Sequence, residues 1–148
     1  MLSTYLDEMT PRQAQITRAM VRTGAIVDVT RERPVSRSAA SGLHRQAMLY
    51  RQLAATLKSV RPPAALRSPQ GDIAAALRSS AECLGTVRRG RSIDFTWSER
   101  AITDPSQALW RWDEAMAAAC ARIGLPVPDW LWSLEQSEWD LANPVPSM

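Results

Sequence analysis

Apolar positions along this chain recur every three or four residues, in four runs separated by proline and glycine. The clearest run is Leu43, Ala47, Tyr50, Ala54 and Leu57, with steps of 4, 3, 4 and 3. That is the period of one face of an α-helix. Leu49, Leu53 and Val60 widen the stripe, so the spacing predicts a core-facing helix from Ser41 to Val60, stopped by Arg61-Pro62-Pro63. Ile16, Met20 and Val27, bordered by Ala19 and Thr23, predict an earlier helix. Thr10 as N-cap, Pro11 at the first helical position and Gln13 in a capping-box place set its start at Thr10. Pro34 biases its neighbour away from the α region and sets the end near Arg33.

The same cap-and-proline signature opens two more helices. Ser68-Pro69 precedes Ile73, Leu77, Leu84 and Val87, with Gly90 as the stop. Asp104-Pro105-Ser106-Gln107 precedes Ala108, Trp112, Ala115, Ala119 and Ile123, with Gly124 as the stop. Between them Ile93, Phe95 and Trp97 alternate, which predicts a short extended connection over 91–103, laid across the bundle. Leu131, Leu134 and Leu141 fall near one face, so a short helix is expected from Asp129 to Ala142, ended by Pro144. Together these elements predict an all-α fold, an antiparallel bundle of about four helices over 1–124. A Trp-rich C-terminal arm follows over 125–148. The expected core contains Leu43, Tyr50, Leu57, Ile73, Leu77, Leu84, Trp112 and Ile123.

Composition sharpens this picture in one place. A chain of 148 residues with 45% hydrophobic and 22% charged positions is a folded single domain by size and content. The charge is unevenly spread. Residues 125–148 carry four acids, four prolines, three of the six tryptophans and no Lys or Arg. The first 124 residues hold all 18 basic residues, 17 of them Arg, against 11 acids. The arm is therefore −4 on a body of +7. No run of about 18 apolar residues exists, so no membrane span is predicted. Met1 to Arg12 lacks a signal-peptide pattern. The expected location is cytoplasmic, with export as the alternative if a signal has been removed.

The stretch Leu57-Lys58-Ser59-Val60-Arg61-Pro62-Pro63, followed by Leu66, and the ending Ala119-Cys120-Ala121-Arg122-Ile123-Gly124 are short motifs of a resemblance that covers about half the chain. Through them the chain resembles bacterial helix-bundle proteins, often exported, to which no activity is assigned. The resemblance implies a Pro-Pro turn between two long helices and implies no reaction. The missing export signal departs from that pattern.

Catalytic and metal chemistry find little footing. His44 is the only histidine, and Ser41 stands where a Glu-x-x-His pair would need its acid. Cys83 and Cys120 could pair, stay as buried thiols or react. Antiparallel packing of the helices that carry them sets them far apart along the axis, so free buried thiols are expected. Asp113-Glu114, Glu135 and Glu138 are expected on solvated faces. No Gly-rich phosphate loop occurs, so no cofactor is expected.

Two surfaces remain as candidates. Arg31, Arg33 and Arg37 flank the end of the first helix, and Arg88, Arg89 and Arg91 the end of the third, with Arg100 a further candidate. In an up-down-up-down bundle both junctions lie at one end. Cations there complement helix C-termini or form an anion-binding pole. Asp28, Glu32, Asp94, Glu99 and Asp104 offset that pole in part. Only Phe95 and Trp97 are placed for base stacking. The second surface is a docking arm of Trp130, Leu131, Trp132, Leu134 and Trp139, which would pack on its own body, with Trp110 and Trp112, or on a partner. The leading expectation is a non-enzymatic structural or protein-interaction protein with a protein partner or a homo-oligomeric state. The alternatives are a nucleic-acid or anion-binding accessory protein using the arginine pole, and a small helical enzyme with a Trp/Arg-lined pocket.

Overall fold

The computed structural model describes residues 2–30 and 33–134, the side chain of Phe95 excepted. Helix α1 spans Leu2–Thr30, α2 Arg37–Leu57, α3 Arg67–Gly85, α4 Phe95–Ser98 and α5 Asp104–Ile123. A 3-10 turn, Ala64–Leu66, leads into α3, and a π turn, Glu99–Thr103, joins α4 to α5. From Phe95 to Ile123 the chain is thus one continuous helical rod, and the molecule is the expected all-α bundle of about four helices. Cross-contacts set an up-down-up-down order. Thr23 on α1 meets Gln46 and Tyr50 on α2, His44 on α2 meets Val87 just beyond α3, and Ser80 on α3 meets Ala101 in the π turn.

Helix α1 begins at Leu2, not at Thr10. Leu2, Tyr5 and Met9 extend the stripe of Gln13, Ile16 and Met20 and are all buried. Burying three such side chains is worth about 5–9 kcal/mol, against about 3 kcal/mol for a proline inside a helix. Pro11 is therefore accommodated, and the Thr10 hydroxyl donates to the Leu6 carbonyl instead of capping. The helix ends at Thr30, short of the expected Arg33. Helix α2 starts four residues earlier than expected, because the Ser36 side chain accepts from the Ala39 N–H as N-cap. It ends at Leu57, and Val60 is buried in the turn that follows.

Helix α3 starts at Arg67, so Ser68 is not its cap. Pro69 sits in the first turn, where no intrahelical N–H bond is required. The helix stops at Gly85, well before Gly90. The connection 91–103 is helical from Phe95 onward, not extended. Ile93 lies just before that helix and Trp97 within it, and both are half-buried. The Asp94 carboxylate accepts from the Trp97 N–H at 2.8 Å and caps α4.

Asp104 is likewise no N-cap, since the helix runs through it. Pro105 lacks the N–H that would reach Ala101, four residues back. The helix widens to a π turn at that point, and the Ser80 hydroxyl donates to the Ala101 carbonyl at 2.7 Å in its place.

Leu43, Tyr50, Leu57, Ile73, Leu77, Leu84 and Trp112 are buried as expected, but Ile123 is 60% exposed. Every residue from 121 to 124 is exposed. The last turn of α5 past Cys120 is thus exposed at every position, Ile123 included. Leu109 and Met116 complete the core on α5.

Two buried hydrogen-bond networks tie the helices together. Gln70 on α3 donates through Nε2 to the carbonyls of Leu57 and Val60, 3.0 Å each, at the end of α2. Its Oε1 accepts from the Tyr5 hydroxyl on α1, which in turn accepts from Trp112 Nε1 on α5 at 3.0 Å. At mid-height, Gln46 Nε2 donates to the Ala19 carbonyl and to Thr23 Oγ1, 3.0 Å each. The Tyr50 hydroxyl donates to the same Thr23 oxygen at 2.9 Å.

Removing Gln70 would leave the Val60 carbonyl without its side-chain donor, the Leu57 carbonyl with only the Val60 N–H, and the buried Tyr5 hydroxyl proton without its acceptor. Gln70→Ala is expected to lose about 3 kcal/mol or more in denaturant unfolding. Gln15→Ala, on the exposed side of α1, should change stability by no more than about 0.5 kcal/mol. Equal effects of the two substitutions would show that the network carries no stability.

Candidate functional site

The arginine-bearing end is assembled from two turns. At the first, the Thr30 hydroxyl donates to the Val27 carbonyl at 2.9 Å, the Arg33 N–H donates to the Thr30 carbonyl at 3.1 Å, and Pro34 prevents the helix from continuing. Val35 then plugs into the core at 2% exposure. At the second turn, Gly90 adopts φ +84°, which an L side chain rarely takes, and Arg91 N–H closes the turn onto the Arg88 carbonyl at 3.2 Å.

The two turns are bonded to each other. Val35 N–H donates to the Arg91 carbonyl, and Gly90 N–H donates to the Val35 carbonyl, both at 2.8 Å. His44, exposed on α2, has Nε2 2.8 Å from the Val87 carbonyl and donates to it, fixing the second turn to the bundle. The lone histidine is thus an anchor.

These bonds bring Arg33, Arg37, Arg88, Arg89 and Arg91 to one end of the molecule. All five are exposed, and none forms an ion pair with a described residue. Arg31 and Glu32 lie outside the described residues. Arg100 is not part of this group: it turns to Glu82, 3.6 Å away, and to Ser79 on α3.

Cavities flank the Val35 turn on both sides. One, of about 300 Å³, lies among Arg88, Arg91, Asp94 and Trp97. Trp97 is half-buried there, and its indole N–H is committed to the Cys83 carbonyl at 3.0 Å. The other, of about 450 Å³, opens between α1 and α2. It is bordered by Arg22, Arg33 and Arg45 over Ile26, Val29 and Ala39. Arg22 and Arg45 had escaped the sequence reading. Their signal was present, since they stand on helix faces shared with Ile26 and Leu49, but which two faces meet depends on packing.

The start of the arm lies against its own bundle. Gly124 takes the left-handed conformation at φ +73°, and Leu125 N–H bonds back to the Cys120 carbonyl at 3.0 Å, ending α5. The chain then turns back along α1. Leu131 and Leu134 are buried, and Trp130 stacks on Trp112 with centroids 5.8 Å apart. Trp132 meets Trp110 at 5.9 Å. Gln13 on α1 donates to Ser133 Oγ at 2.6 Å and to the Trp130 carbonyl at 3.3 Å. Trp132 takes φ +64°, a left-handed conformation costly for a bulky residue. The burial of Leu131 and Leu134 on either side holds it there.

Residues 129–132 form turns and helix begins at Ser133. The rest of the expected 129–142 helix, with Trp139, Glu135 and Glu138, lies outside the described residues. Asp113 corrects another expectation. It is fully buried on α5, not on a solvated face.

Burial favours the neutral forms of two tyrosines and both cysteines. Burial pushes the Tyr5 hydroxyl up to about 12, against the opposing bond from Trp112. Burial likewise pushes Tyr50 up to about 12, against its bond to Thr23. Desolvation also raises both cysteines, Cys83 despite the nearby Arg100. The two thiols are unpaired and buried. A raised thiol is a poor nucleophile. Among the described residues no group of His, Cys, Asp and Glu is clustered to hold a metal, and no helix is long and apolar enough to cross a membrane.

No protein-family model, curated protein or solved structure matches this chain.

Two outcomes follow. Removing residues 125–148 uncovers Trp112 and deletes two buried leucines, so it should cost about 3–6 kcal/mol and increase binding of an apolar dye. An unchanged melting temperature would contradict the packing described for 125–134. The tyrosines set an alkaline limit. Their contribution is intact below the unfolded pKa of about 10 and is lost as pH rises toward the folded value of about 12. Ultraviolet titration of the native protein should show tyrosinate forming together with unfolding, and full ionisation near pH 10 without unfolding would refute this.

Proposed function

We propose that this protein is a non-enzymatic interaction module whose arginine-bearing end engages an acidic surface on a protein partner. One observation carries the reading. The reciprocal Val35–Arg91 and Gly90–Val35 hydrogen bonds hold two arginine-bearing turns side by side, with five exposed guanidinium groups on them. Guanidinium groups pair with carboxylates in a planar, two-bond geometry, and a cluster of them steers an acidic partner from a distance.

The apolar floor of Ile26 and Val29 beside that end supports a protein partner over nucleic acid. Base stacking needs a free aromatic face, and Trp97, half-buried and bonded to Cys83, is a poor platform. The raised thiols and tyrosines lend no support to an enzymatic reading.

The test is fluorescence anisotropy with labelled poly-L-glutamate and with a labelled single-stranded DNA of matched charge. The native chain is expected to bind poly-L-glutamate. Arg33→Ser/Arg88→Ser/Arg91→Ser should bind it about tenfold or more weakly, with unchanged helicity by circular dichroism. Tighter binding of the DNA would move the reading to nucleic acid. No binding of either polymer would refute the interaction reading at this end.

A further inference from the structure

The outer seam between α1 and α2 carries a feature that the arginine end alone does not explain. The cavity beside Arg33 is continued along the seam by a second one of about 480 Å³ that reaches Gln15 and Thr56, and Arg22 borders both. Together they form a groove that follows α1 from Gln15 to Thr30, about 22 Å at the rise of an α-helix. Its rim is basic, with Arg18, Arg22 and Arg33 on one side and Arg45 on the other, and among the described residues no Asp or Glu borders either cavity. Its floor is apolar: Ile26, Val29 and Leu49 line it, and Val29 is 73% exposed. Met48, one turn from Arg45 and beside Gln52 on α2, is 62% exposed.

We infer that this seam is a docking groove for an acidic amphipathic helix of a partner protein. The inference rests on the interaction reading above and names the partner's chemistry. A groove between two antiparallel helices accepts a third helix, ridges into grooves. The apolar floor asks for a stripe of leucine-like residues at helical spacing. The basic rim asks for carboxylates on both flanks of that stripe, four turns long. An extended acidic chain would satisfy the rim but leave the floor bare. The helix would end at Arg33, where the arginine-bearing turns continue the positive surface.

Ser36 Oγ already occupies the Ala39 N–H at the start of α2, so the arginines supply the charge recognition here, not the helix terminus. Gly42 lets the two helices close under the groove, since a Cβ there would stand 3.3 Å from Ile26 Cδ1.

The experiment uses the full chain and a labelled synthetic helix of about 15 residues, with leucines at i, i+3, i+4 and i+7 and glutamates on both flanks. Binding is read by anisotropy and the groove residues by backbone NMR shifts. The expected result is binding that Arg22→Ser/Arg45→Ser weakens about tenfold and Val29→Glu at least as much. All three positions are exposed, so these variants should fold as the parent does. Arg78→Ser/Arg111→Ser, exposed positions that border neither cavity nor the arginine-bearing turns, should change this affinity by no more than about twofold.

If the groove variants leave binding intact while the arginine-end variant Arg33→Ser/Arg88→Ser/Arg91→Ser abolishes it, the groove inference fails and the arginine-end reading survives. If the helix fails to bind a chain that still takes up poly-L-glutamate, the groove inference fails in the same way. A peptide of residues 135–148 that outcompetes the synthetic helix, or a thymidine oligomer that shifts the same groove resonances, would overturn the assignment to a partner helix.

Discussion

The Gln70 amide is the constraint on which the rest of this fold depends. Both of its N–H donors and its carbonyl oxygen are used inside the bundle, the donors on the carbonyls of Leu57 and Val60 and the oxygen on Tyr5, which Trp112 completes. The four long helical segments therefore meet at one buried polar point. A glutamine in a core is costly unless satisfied, and a satisfied one admits only one register of its neighbours. Sliding α1 or α5 by a single turn would break the chain of bonds, whereas the surrounding Leu and Ile contacts would tolerate the shift far better. The apolar stripes supply the driving force, and this amide supplies the register.

Prolines, which ordinarily interrupt helices, are here absorbed by their neighbours. Pro105 removes the donor for Ala101, and Ser80 from another helix replaces it across a π turn. The substitution couples α3 to the α4–α5 rod at the point where that rod would otherwise be weakest. Pro11 is handled differently, since it is exposed and the carbonyl it leaves unbonded, on exposed Asp7, can face water. The same residue type thus has two outcomes, decided by whether the orphaned carbonyl is buried.

Register at one end has consequences at the other. Because α1, α2 and α3 are held in step, the Val35 and Gly90 turns arrive at the same height and can exchange backbone bonds. Five guanidinium groups then share one surface without described acidic partners. Like charges held close repel, and the cost falls when an acidic surface approaches. That is the physical basis for proposing an interaction role here. The returning segment 125–134 covers Trp112 on the far side of α1, which leaves the α1–α2 seam as the basic, partly apolar face turned outward.

Much of the architecture was legible in the chain itself. The four apolar runs, the Pro62-Pro63 break and the Gly124 stop depend on helix geometry and backbone sterics, which act between near neighbours. Leu43, Tyr50, Leu57, Ile73, Leu77, Leu84 and Trp112 are accordingly buried where their spacing put them. That both arginine-bearing junctions share an end follows from helix order alone. Tertiary structure decided the rest, because the deciding energies act between residues distant in sequence. Burial of Leu2, Tyr5 and Met9 overrode the cap at Thr10. Ser80 turned a helix start at Asp104 into a continuation, and the end of α5 stayed exposed, Ile123 included. Asp113 is buried inside the packed bundle, and Arg22 and Arg45 became neighbours only when α1 met α2. Local periodicity determines which residues form a face; only packing determines which faces meet, and every candidate site in this protein lies where two faces meet.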